Sequence, residues 1–84
     1  MQSERHLFHL ADAKAKSVLL VGDFTDWDHH SIPMHAHSDG VWTAAVPLDP
    51  GPHRYRFIVD GQWRNDPECK SRLRNPYGTD DDVC

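Results

Sequence analysis

The sequence predicts an all-β fold, a small two-sheet sandwich of about seven strands. Apolar residues alternate or fall in short runs separated by turn chemistry, and nowhere do they repeat at helical spacing over three turns. Asp60-Gly61 is a strong hairpin signal, because a two-residue type I′ loop needs positive φ at both positions and this pair tolerates it. Two strands supply a plausible core face: Trp42, Ala44, Val46 and Leu48 in one, Tyr55, Phe57 and Val59 in the other.

The elements follow in order. Strands are expected at 6–10 (HLFHL), 17–22 (SVLLVG), 32–35 (IPMH), 41–48 (VWTAAVPL), 53–59 (HRYRFIV) and 62–65 (QWRN), with a short last one near the C-terminus. SDG at 38–40, DPGP at 49–52, DG at 60–61, NDP at 65–67 and NPYG at 75–78 mark the breaks. LADAKAK at 10–16 has helical propensity but is too short to stand alone. In 17–24, Val18, Leu20, Gly22 and Phe24 share one face, and Leu19 and Val21 the other.

The hairpin also sets a register. Val59 should pair with Gln62, Ile58 with Trp63, Phe57 with Arg64 and Arg56 with Asn65. Arg56, Ile58 and Trp63 then share the face opposite the core, so an indole lies beside a guanidinium where water is expected. Trp42 is explained by packing as the largest member of its core face. Trp27, in DFTDWDHH after a strand ends, has little to pack against.

Composition narrows the function. Residues 1–84 make one domain, large enough for a modest core. A net charge of −4 with scattered arginines disfavours a nucleic-acid partner. No run of about 18 apolar residues suggests a membrane span, and the N-terminal residues lack signal-peptide character, so the reading is cytoplasmic, or a module cut from something larger. Cys69 and Cys84 are too few for a disulfide framework, lack metal-ligand spacing and are read as incidental thiols, with Cys84 exposed. His29, His30, His35 and His37 invite a metal reading, but no cysteine joins them, and Asp23, Asp26 and Asp28 lack the glycine and glutamate of a calcium loop; no metal or other cofactor is expected. A glycosidase needs two carboxylates fixed across a cleft, and none is evident; no nucleophile constellation has supporting context.

Three stretches, VLLVGDFTDWD at 18–28, GPHRYRFIVDGQWRNDP at 51–67 and NPYGT at 75–79, resemble the glycogen-binding domain of AMP-activated protein kinase β subunits and the related isoamylase N-terminal, or family 48, carbohydrate-binding modules. The resemblance spans roughly residues 6–83. It implies an immunoglobulin-like, early-set β-sandwich that binds α-1,4-linked glucans, such as glycogen, starch and maltooligosaccharides, without catalysis. It assigns Trp27 and Trp63 as stacking platforms, Arg56 as the basic group directed at sugar, and Tyr77, Thr79 and Asp81 as contacts from the following loop. The sequence departs from the family in ending TDDDVC, which predicts a frayed or missing final strand. That leaves an exposed edge guarded by aspartates, and a monomer.

The chemistry of sugars suits the same residues. A pyranose has an apolar C–H face fringed by hydroxyls, so it needs flat aromatic platforms and planar polar partners. Burying about 100 Å² on two indoles is worth about 2–3 kcal/mol before ordering costs, which implies modest affinity for short oligosaccharides. The alternative is a protein-interaction module of the same fold that docks a glycan-active enzyme or kinase subunit, with Leu19 and Val21 as its surface.

Overall fold

A computed structural model describes residues 4–84. Nine strands and two short 3-10 turns build two antiparallel sheets. The strands are β1 (Glu4–Ala11), β2 (Val18–Gly22), β3 (Ile32–Pro33), β4 (His35–Ala36), β5 (Val41–Leu48), β6 (Arg54–Val59), β7 (Gln62–Arg64), β8 (Arg72–Arg74) and β9 (Asp80–Val83). The smaller sheet runs β1-β5-β4, and the larger runs β3-β2-β6-β9-β8 with β7 also paired to β6. The architecture is the expected immunoglobulin-like sandwich, with nine strands among the described residues where about seven were expected. No helix among the described residues is long and apolar enough to cross a membrane.

Alternation builds the core as expected. Phe8 and Leu10 of β1, Val18 and Leu20 of β2, Ala44, Val46 and Leu48 of β5, and Tyr55, Phe57 and Val59 of β6 are all buried between the sheets. The Asp60-Gly61 loop has φ of 50° and 84°, as a type I′ turn requires. Val59↔Gln62, Ile58↔Trp63 and Phe57↔Arg64 pair in the expected register. The Asp60 side chain closes the corner by accepting from the backbone N–H groups of Lys16 and Ser17, both at 2.9 Å.

Five expectations are corrected. The 32–35 strand divides between sheets: β3 pairs with β2, β4 with β5, and buried Met34 marks the crossing. Pro33 suits the edge strand it occupies, where no ladder donor is missed. The Arg56–Asn65 pair does not form, because the chain leaves β6 after Arg64 and Asn65 turns to donate to the Asp80 carbonyl at 2.8 Å. Trp42 sits half-buried at the core margin, its indole N–H donating to the Asp12 carbonyl at 3.0 Å. Val21 is 0% exposed, because the 3-10 turn Trp27–His30 packs over β2, so it offers no docking surface.

The fifth correction concerns the chain end. β9 is an interior strand, flanked by β6 and by β8, an element with no counterpart in the sequence reading. Asp82 does not guard an edge: it lies opposite Tyr55, is 0% exposed, and accepts from the Asp66 N–H at 2.6 Å and Arg72 Nε at 3.0 Å. Tyr55 in turn donates its hydroxyl to Asp66 at 2.6 Å. Burial, then the Asp66 carboxylate, raise the phenol pKa. Cys84 is half-buried, packs against the core, and burial pushes its thiol up as well, which disfavours the thiolate needed for oxidation.

Replacing Asp82 strands the Asp66 N–H and removes the acceptor of Arg72 Nε, leaving that guanidinium its bond to the Asp66 carbonyl. Asp82→Ala is expected to cost about 3 kcal/mol, measured as a lowered urea midpoint with an unchanged m-value.

Candidate glucan-binding site

The site lies on the outer face of the larger sheet, opposite the core. Arg54 and Arg56 alternate with Tyr55 and Phe57 along β6, so a single strand serves both the core and the site. The Asp60-Gly61 turn brings Trp63 back beside Arg56, whose guanidinium carbon lies 5.6 Å from the ring centroid. Trp27 enters from the 3-10 turn after β2. Its ring centroid is 6.3 Å from that of Trp63, with the two planes tilted by 39°. Trp63 is 42% exposed, a large apolar area left to water.

The loop after β2 is tightly specified. At Gly22 a Cβ would come within 2.4 Å of the Arg54 carbonyl and 2.6 Å of the Phe24 ring, so no other residue fits without displacing β6. Phe24 stacks on Phe8 at 5.6 Å and anchors the loop to the core. Asp26 and Trp27 both take left-handed backbone, with φ of 51° and 55°. For such residues this conformation costs about 1–3 kcal/mol each, and it persists only where the surroundings impose it.

The opposite wall is the loop joining β8 to β9. Asn75 organises it: its carbonyl oxygen accepts from the N–H groups of Tyr77 at 3.0 Å and Thr79 at 3.2 Å. Its amide donates to Thr79 Oγ1 at 2.7 Å and Asp81 Oδ1 at 3.0 Å. All of the side chain's ordinary bonding capacity is thus used within the loop and on Asp81 of β9. Tyr77 projects from it, 90% exposed. Asp81 is buried in the floor, where it also accepts from Arg54 Nη1 at 3.5 Å.

The structure brings all six expected residues, Trp27, Arg56, Trp63, Tyr77, Thr79 and Asp81, around one open cavity of about 660 Å³. Arg56 has a buried Nε with no hydrogen-bond partner, while Arg54 is paired with Asp81. That Nε is itself sealed from the cavity, but the guanidinium that carries it leans on Trp63 at the cavity wall and is paired with no carboxylate among the described residues. Among the described residues no group of three or more His, Cys, Asp or Glu could hold a metal ion.

Sequence reasoning missed Asn75, Arg54, Asp23 and His53. The Asn-Pro-x-Gly pattern does signal an Asx turn, and so Asn75 was within reach. The Asp23 contacts span about thirty residues and had no local signal: Oδ2 accepts from the Arg54 N–H at 3.1 Å, and Oδ1 from His53 Nδ1 at 3.2 Å. His53 Nε2 faces the Asp49 carbonyl at 2.9 Å. Both ring nitrogens face acceptors, which only the imidazolium satisfies. The Asp49 carbonyl raises the His53 pKa most, partial burial opposes it, and Asp23 adds to the rise.

A sandwich carrying paired indoles and a guanidinium over an open cavity defines a carbohydrate-binding module. Residues 8–80 match the family described as the glycogen recognition site of AMP-activated protein kinase, and the chain belongs to that family. Among curated relatives, it is 42% identical over 53 residues to Protein PTST homolog 2, chloroplastic, of Arabidopsis thaliana, covering 63% of this chain and 10% of that protein. It is 40% identical over 52 residues to the 5'-AMP-activated protein kinase subunit beta-1 of Sus scrofa, covering 62% of this chain and 40% of the relative. It is 47% identical over 49 residues to the 1,4-alpha-glucan branching enzyme GlgB of Novosphingobium aromaticivorans, covering 56% and 7%. The matches thus span 40% or less of these relatives' own lengths.

The His53 contacts give a pH dependence whose sign is fixed. A pKa raised on folding adds stability that is complete below the unfolded value of about 6.5 and disappears as pH rises through the folded value. The melting temperature is expected to fall as pH rises from about 6.5 through the raised folded value, and His53→Gln to flatten that segment of the curve.

Proposed function

We propose that the chain, acting as one unit, binds α-1,4-linked glucans such as glycogen, starch and maltooligosaccharides through Trp27, Trp63 and Arg56. The observation that carries this reading is the tilted pair of indoles beside the Arg56 guanidinium. Tilted platforms suit a curved chain of pyranoses, each ring laying its C–H face on one indole. Arg56 then directs its guanidinium at a sugar hydroxyl. Tyr77 and Thr79 close on the glucan from the opposite wall, and Asp81 supports that wall from beneath. Bonds to Arg54 and Asn75 already occupy its carboxylate.

In this reading binding requires no catalysis and no cofactor. Two of the cavity's carboxylates, Asp23 and Asp81, are committed to His53, Arg54 and Asn75 instead of facing each other across a bond to be cut. The chain is a monomer: four of the five edge strands among the described residues are very short, and three of those carry proline or arginine, features that oppose edge-to-edge pairing. Its location is cytoplasmic, although the Arabidopsis relative is named chloroplastic.

The second reading is protein docking to a glycan-active enzyme or kinase subunit. It is favoured by Leu7, which is 58% exposed on the outer face of the smaller sheet. Glycogen cast into a native gel separates the readings. Retardation of the wild-type chain, largely lost in Trp27→Ala and Trp63→Ala, is expected, each substitution costing about 1.5–3 kcal/mol of binding with little loss of stability. A wild-type chain that runs unretarded removes the glucan reading.

A further inference from the structure

We infer that Thr25 is a positioning residue for glucan recognition: its buried hydroxyl holds Trp27 in the left-handed backbone conformation that sets the angle between the two indoles. The inference rests on the glucan-binding reading above. Thr25 is 4% exposed and does not line the cavity, so any effect it has on a ligand must pass through another residue. Its hydroxyl accepts from the Gly22 N–H at 2.9 Å. Its single proton has two carbonyl acceptors in reach, Trp27 at 2.8 Å and Gly22 at 3.0 Å. One side chain therefore ties the end of β2, whose Gly22 is fixed sterically against β6, to the backbone of the platform residue itself.

That tie matters because the segment between its ends is the least favourable backbone in the site. Asp26 and Trp27 are consecutive residues with φ of 51° and 55°, and neither is glycine. Without a restraint, residues of this kind return to the right-handed or extended regions, and a change of that size at Trp27 swings its ring away from Trp63. The closing N–H of His29 to the Asp26 carbonyl, at 3.2 Å, holds the far side of the turn but does not reach back to β2. Buried, a hydroxyl has no water to turn to, so the Gly22 and Trp27 groups are its fixed partners.

Thr25→Val keeps the shape and removes the hydroxyl; Thr25→Ser keeps the hydroxyl and removes the methyl. Two indoles at close range give a far-UV circular dichroism couplet whose sign and amplitude follow their relative orientation, and it can be read without ligand. Maltoheptaose titrated by calorimetry gives the affinity. In the folded valine variant the couplet is expected to collapse or change shape and the Kd to rise about tenfold. The serine variant is expected to retain the couplet and an affinity within about twofold of wild type. A folded valine variant with wild-type couplet and affinity overturns the inference. Should the valine variant not fold, the serine variant carries the test, and loss of couplet or affinity from the folded serine protein overturns it. Failure of the wild type itself to bind maltoheptaose would instead remove the glucan reading, while the couplet would still report on Thr25.

Discussion

Everything at the site depends on the alternation of side chains along β6. Tyr55, Phe57 and Val59 are sealed into the core, and that burial fixes the strand's rotation and depth. Arg54 and Arg56 then have only one direction in which to point. A register slip of one residue would bury both guanidinium groups and expose three large apolar side chains, so the core enforces the position of the binding face. The Asp60-Gly61 turn transmits the same register to Trp63. The turn is held by its own φ values and by two backbone donors from the segment before β2.

The second platform depends on a different kind of control. Trp27 sits on a loop, where no ladder fixes it, and its position is assembled from contacts at short range. Gly22 lies close against Arg54, Phe24 is anchored on Phe8, and the Thr25 hydroxyl spans from β2 to Trp27. Asp23 adds a long-range tie from the same loop to β6 through the Arg54 N–H and His53. The loop thus places unfavourable backbone beside the proposed glucan site and offsets it with fixed polar partners, as functional sites commonly do.

Where a single local rule decided the outcome, the sequence was legible. Period-two patterning and a type I′ dipeptide located the core faces, the hairpin register and the shared face of Arg56 and Trp63, and the motifs carried Trp27 and the 75–79 loop into the same site. Where the outcome depended on contacts between distant segments, the sequence misled. Asp80–Val83 reads as a charged fringe, yet Asp82 is buried because Arg72, Asn65 and the Asp66 N–H converge on it from segments with no sequence proximity. Val21 reads as an exposed apolar residue until the 3-10 turn folds over it. The segment 32–35 carries one strand's worth of residues but bends between sheets at Met34, because burying that side chain satisfies the core better than a continuous edge strand would.

The central claim is that glucan lies on the outer face of the larger sheet, between Trp27, Trp63 and the Asn75-organised loop. Titrating uniformly nitrogen-15-labelled protein with maltoheptaose and following its NMR spectrum tests this most directly. The account requires the largest shifts at the Trp27 and Trp63 indole N–H signals, with further shifts at the Arg56 side chain and the amides of Tyr77 to Thr79. The Trp42 indole N–H, bonded to Asp12 on the far side of the core, should stay still. Shifts confined to the β1-β5-β4 face, or shared by the Trp42 indole while Trp27 and Trp63 are unmoved, would contradict it.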